Sequence, residues 1–136
     1  MNFQLQRQIT VAIENQPGRL AAISHALASS GINIKDLSIL DNIEQGVIRM
    51  VTNDSAACKA LLTEQGFHPV EAEVLVVDLA DTPGKLAVLA DALAKGGVNI
   101  DYAYGSEEPA EKRMRLVMKI SPLARGCEII KSLREG

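Results

Sequence analysis

"NQPGRLAAISHALASSGINI", residues 15–34, is restated sixty-six residues later as "DTPGKLAVLADALAKGGVNI", residues 81–100. At that offset Asn15–Ile39 and Asp81–Gly105 share ten identities in 25 positions. Pro17/Pro83, Gly18/Gly84, Leu20/Leu86, Gly31/Gly97, Asn33/Asn99 and Ile34/Ile100 are among them. Downstream the offset becomes 69: Val47–Leu62 lies over Leu116–Lys131, which brings Cys58 onto Cys127. The three extra residues fall in "GSEEPAEKR", a polar stretch that reads as a loop between strands. A unit of about 66–69 residues is therefore present twice, at residues 1–72 and 73–136.

Each copy implies the same elements. In "QITVAIE" (Gln8–Glu14) Ile9, Val11 and Ile13 alternate onto one face, as in a half-buried strand. Leu20, Ile23 and Leu27 recur at three and four, the stripe of an amphipathic helix. Pro17 is placed where a first helical turn accepts it, and Gly31 where a left-handed residue ends the helix. "NIKDLSILD" and "GVIRMVT" read as strands joined by a hairpin turn at "NIEQG". Ser55–Gln65 reads as a helix capped by Asn53 or Asp54 and closed by Gly66. "FHPVEAEVLVVDLA" supplies a fourth strand that runs on into the first strand of the second copy.

The order β-α-β-β-α-β makes two interlocked split βαβ elements: an α+β, ferredoxin-like sandwich with an antiparallel sheet and both helices on one face. The second copy runs out after its last helix, expected at about 123–134, so it lacks its last strand. The first strand of that copy is then left with an open edge, and such edges invite pairing. Three covers are foreseen: the N-terminal "NFQLQ" (Asn2–Gln6) of the same or a neighbouring chain, the same edge of another chain in a homodimer, or the first copy's own fourth strand, "FHPVEAE".

Composition narrows the function. With 14 Lys and Arg against 17 Asp and Glu, a net charge of −3, no Trp and four other aromatics, the chain lacks what nucleic-acid binding uses. It has no long apolar run for a membrane helix, and its N-terminus does not read as a signal peptide. Cys58 and Cys127 have no metal-type spacing and read as buried thiols of a reduced, cytoplasmic protein. His25 and His68 lack partners at ligand spacing, so neither a metal nor a cofactor is expected. No Ser-His-Asp set, Cys-His set, phosphate loop or paired-carboxylate motif is present, and an enzyme is not expected.

The Asx-x-Pro-Gly turn, the helix closing on Gly and the following "(I/V)NI" strand resemble the ACT domain, twice over nearly the whole chain. That likeness implies a stand-alone regulatory protein that binds an amino acid, with allosteric sites at shared interfaces and an enzyme of biosynthesis as a possible partner. In the serine-binding members, contacts come from the Asn before Pro-Gly and from an Asn eighteen residues on. The matching residues here are Asn15 with Asn33, and Asp81 with Asn99. The histidine those members carry two residues earlier is Ile13 or Leu79, and Asp81 is closer to the aspartokinase type.

The residues support such a site on their own chemistry. Free N–H groups at a helix start favour a carboxylate, and Gly18 and Gly84 let it approach the backbone. Asn33 and Asn99 carry both donor and acceptor, and Asp81 suits an ammonium. Leu20 and Leu86 would shape the side-chain pocket, with Pro17, Pro83, Ile34 and Ile100 around it. The plainer reading is that Pro-Gly after Asn or Asp simply turns a strand into a helix, and that Arg19 and Lys85 are solvated. Two further functions fit the fold. One is a partner subunit similar to the small subunit of acetolactate synthase, which "GINIKDLSILD" resembles. The other is an acylphosphatase-like hydrolase using Arg19 and Asn33.

Overall fold

The computed structural model describes residues 1–42 and 45–133. Ile43 and Glu44 of the expected hairpin turn, and Arg134–Gly136, lie outside the described residues. The elements are β1 (Asn2–Ile13), α1 (Arg19–Ser29), β2 (Ile34–Asn42), β3 (Gln45–Thr52), α2 (Ser55–Glu64), β4 (Val70–Ala80), α3 (Lys85–Lys95), β5 (Asn99–Glu108), β6 (Arg113–Ser121) and α4 (Leu123–Ser132). No helix among the described residues is long and apolar enough to cross a membrane.

Two compact units result. The first is Arg7–Ala72. In it β2, β3 and β1 are antiparallel neighbours, with Ile9 opposite Met50 and Val11 opposite Ile48. These side chains share the face on which α1 contributes Ile23 and Leu27, and α2 contributes Cys58 and Leu62. All eight are at most 1% exposed. Period-2 and period-3.6 patterns thus converge on one core, as the sandwich requires.

Helix ends explain the glycines. Gly31 N–H donates to Ala28 O at 3.0 Å and Ile32 N–H to Leu27 O at 2.9 Å, with Gly31 at φ +73°. This paired bonding satisfies the last carbonyls and needs a left-handed residue. The pattern recurs at Gly66 and Gly97. At the other end α2 is capped by Asp54, whose carboxylate accepts from Ala57 N–H at 3.0 Å.

The second unit comprises Met1–Gln6 with the chain from Glu73 onward. The sequence placed those six residues in the first copy. Here they take the position of the missing fourth strand, since β1 is the hydrogen-bonded neighbour of β4. Met1 and Phe3 pack against this unit's core of Leu75, Val77, Leu79, Leu89, Leu93, Met118 and Ile130. The Met1 backbone nitrogen donates to the carbonyls of Ile130 and Leu133, at the end of α4. Of the covers foreseen, it is the chain's own "NFQLQ" that lies beside β4, so the open edge no longer argues for a dimer.

The sheet also corrects the repeat. Ile13 pairs with Gly46, and Leu79, its counterpart at 66, pairs with Met114. Ile34 pairs with Thr52, and Ile100 with Ile120. The downstream offset is therefore 68, and the β5–β6 connection is two residues longer than its counterpart, not three. Cys58 corresponds to Gly126, and both are buried. Cys127 is only half-buried. Burial, with the nearby Asp54 carboxylate, pushes the Cys58 thiol up to about 11, so it is an inert thiol.

Candidate functional site

In the first unit β1 stops at Ile13 and the chain turns before α1. Gln16 N–H donates to Glu14 O at 2.9 Å, and Gly18 stands at φ +88° as the residue preceding the helix. Pro17 lies in this turn and not in the first helical turn as expected; Arg19 opens the helix. The added Cβ at Gly18 would meet nothing within 4 Å, so it is the backbone angle that calls for glycine. No side chain caps α1, in contrast to α2. Arg19 N–H donates to Gln16 O at 3.4 Å within the turn, and no side chain takes the N–H groups that follow it in the first turn.

The sheet brings β2 to the turn. Ile13 faces Gly46 and Gly46 faces Asp41, which places Asp41 beside the residues that follow β1. Asn15 Nδ2 donates to Asp41 Oδ1 at 2.9 Å. Arg19 Nη2 donates to Glu14 Oε2 at 2.8 Å. These groups, with Leu20 and Ile39 as an apolar wall, border a hollow of about 140 Å³. Asn15 and Leu20 were expected there; Asp41 and Arg19 were not. The repeat held a signal for the former, because Asp41 aligns with Glu107 at the offset of 66 and both are acidic.

The second unit repeats the geometry with different chemistry. Gly84 again precedes its helix uncapped, at φ +93°. Asp81 N–H donates to Lys112 O at 2.9 Å, and Pro83 lies in the turn. Asp81 meets the carboxyl of Glu107 by a side-chain hydrogen bond. That bond, and then the Asp81 charge, hold the Glu107 carboxyl above the usual carboxylate range. Leu86, unlike the half-buried Leu20, is 48% exposed.

Asn33 and Asn99 are not gathered at these turns. Asn33 precedes β2, whereas Asp41 lies near its end, eight residues along a strand, or roughly 26 Å at about 3.3 Å per residue. There Asn33 N–H donates to Asn53 Oδ1 at 2.9 Å and Asn53 N–H to Asn33 O at 3.1 Å. Asn99 Nδ2 donates to Asp101 Oδ1 at 2.8 Å. That bond, then the one from Lys119, hold the Asp101 carboxyl below its ordinary range. Ile34 and Ile100 pack against their unit's core. Within one unit, then, Asn15 with Asn33 and Asp81 with Asn99 do not form one site. The same separation parts Arg19 from Asn33, which an acylphosphatase-like centre would need side by side. Among the described residues no group of three or more His, Cys, Asp or Glu is arranged to hold a metal.

The chain matches the ACT domain pair family over residues 4–130. No match was found among curated protein sequences. A protein of Bacteroides thetaiotaomicron, BT0572, is similar in structure at a TM-score of 0.88 and 26% identity, over 96% of this chain and 90% of that one. The regulatory subunit of aspartate kinase from Thermus thermophilus is similar at a TM-score of 0.66 and 20% identity, over 98% of each chain. That from Thermus flavus reaches 0.64 and 24%, over 96% of this chain and 94% of the other. With both units ferredoxin-like and nearly the whole length matched, this chain belongs to the ACT domain pair family.

Proposed function

We propose that the protein is a non-catalytic sensor that binds a free amino acid and regulates amino-acid metabolism. The observation that carries this is the first unit's turn: an uncapped helix start beside an Asn15–Asp41 pair, around a hollow of about 140 Å³. The helix N–H groups suit the ligand carboxylate. Asp41 suits its ammonium, and Leu20 and Ile39 suit a short side chain. The small hollow favours one amino acid over a drug-sized ligand, which takes about 300–1,000 Å³. In the second unit, the Asp81–Glu107 pair offers an ammonium two carboxyl groups.

The reading includes an enzyme as the partner that receives the signal, supported by the likeness to regulatory subunits of aspartate kinase. It also includes a cytoplasmic homodimer. Leu37, Ile39 and Leu40, exposed by 42–48% on the outer strand β2, give such a partner an apolar strip.

A thermal-shift screen of the twenty amino acids tests the proposal. A ligand at 100 times its Kd adds about 2.7 kcal/mol of apparent stability. A rise in Tm with one or a few amino acids supports it; no rise with any of them counts against it.

A further inference from the structure

We propose that the second unit carries a separate site, on the sheet face away from α3 and α4, for a small dipolar metabolite bearing a cationic group and a carboxylate. Leu75, Val77 and Leu79 point into the core beneath the helices. Val76 and Asp78 alternate with them and face the other way. Strand register sets Asp78 opposite Arg115, and Arg113 opposite both Ala80 and Glu108. With residues 2–4 of β1 as one wall and Glu111 on the β5–β6 connection, these side chains border a hollow of about 490 Å³. Val76, 4% exposed, is apolar lining.

The charges are ordered. Arg113 Nε donates to Asp78 Oδ1 at 3.0 Å and its Nη2 to Asp78 O at 3.2 Å, which fixes the guanidinium plane. Arg115 stands on the same face, two residues further along β6. Glu108 and Glu111 bring carboxylates to the hairpin end. A ligand carboxylate suits the arginines and a ligand cation the glutamates, each through charge-assisted bonds. The volume falls within the range of small-molecule sites, about 300–1,000 Å³.

The fold repeat does not demand any of this. Where the second unit has Asp78 opposite Arg115, the first has Ala12 opposite Val47. The counterpart of Arg113 is Gln45. The two-residue extension of the hairpin that carries Glu111 occurs in the second unit alone. The wall from residues 2–4 comes from the far end of the chain. The charged set is thus an addition to the unit and is separate from the turn that the proposed function uses.

The test is a titration of the full chain followed by amide NMR, with L-arginine, agmatine (no carboxylate) and succinate (no cation) as probes. L-arginine is expected to shift the amides of Gln4, Glu108, Glu111 and Arg115. Agmatine and succinate should each bind about tenfold more weakly, since each loses one charge-assisted partner. Arg115→Gln and Glu111→Gln should each lower L-arginine affinity about tenfold with the folded spectrum retained, whereas Asn15→Ala should not change it. Shifts confined to Asn15, Arg19 and Asp41, no shift with any probe, or equal binding of all three would overturn the proposal. A failure at these amides leaves the turn site untouched, and a failure at Asn15 leaves this one untouched.

Discussion

Asn15 donates through Nδ2 to Asp41 Oδ1 at 2.9 Å, and the same two positions in the second unit hold Asp81 and Glu107, a carboxyl pair. One turn geometry thus carries an amide–carboxylate bond in one copy and, in the other, two paired carboxyls, of which Glu107 is raised above its ordinary range.

The acid pair sets a sign for pH dependence. The folded Glu107 carboxyl is raised, first by its hydrogen bond to Asp81 and then by that charge. Its contribution is fully present below the ordinary glutamate value of about 4.3 and is lost as pH rises through the raised folded value. Glu107→Gln puts an amide donor beside Asp81, as Asn15 does for Asp41. The Tm of this variant minus that of the parent should grow as pH rises from 4 to 7. A difference that shrinks with rising pH would contradict the pair. Glu71 and Asp101, both lowered, run the other way but cancel in the difference.

Phe3 tests the borrowed strand. It is packed against the second unit's core, so Phe3→Ala should cost about 1–3 kcal/mol, less than a fully buried Phe. Leu5 is 49% exposed, and Leu5→Ala should stay within about 0.5 kcal/mol. Urea unfolding of both variants decides; equal small losses would mean the strand adds nothing.

Gly18 and Gly84, at φ +88° and +93°, should each resist alanine by about 1 kcal/mol through backbone strain, since the new Cβ meets no neighbour. Chemical denaturation of Gly18→Ala with no loss would contradict the left-handed turn.

Much of this was legible in the sequence because the signals were local. Element order, the closing glycines, a cap at Asn53 or Asp54 and both core stripes follow from period and capping chemistry. What was not legible depended on long-range pairing. Matching Cys58 to Cys127 shifted the frame by one residue, and only the Ile13–Gly46 and Leu79–Met114 pairs put it right. One residue is half a strand period, so the error turned every aligned side chain in β6 to the wrong face. In the candidate site, Asn15 and Leu20 were readable from the turn. Asp41 was not, because a strand's register brings it there across 26 residues. Asn33 looked like a site partner on family likeness, but the helix between carries it to the other end of the sheet.

The central claim is that the first unit's turn holds an amino acid through Asn15 and Asp41. Its most direct test is calorimetric titration of an amino acid found in the screen into the parent chain and Asn15→Ala. The account predicts saturable binding to the parent and a loss of about 1–3 kcal/mol in the variant, whose Asp41 loses its donor. Equal affinity for the two proteins would contradict it.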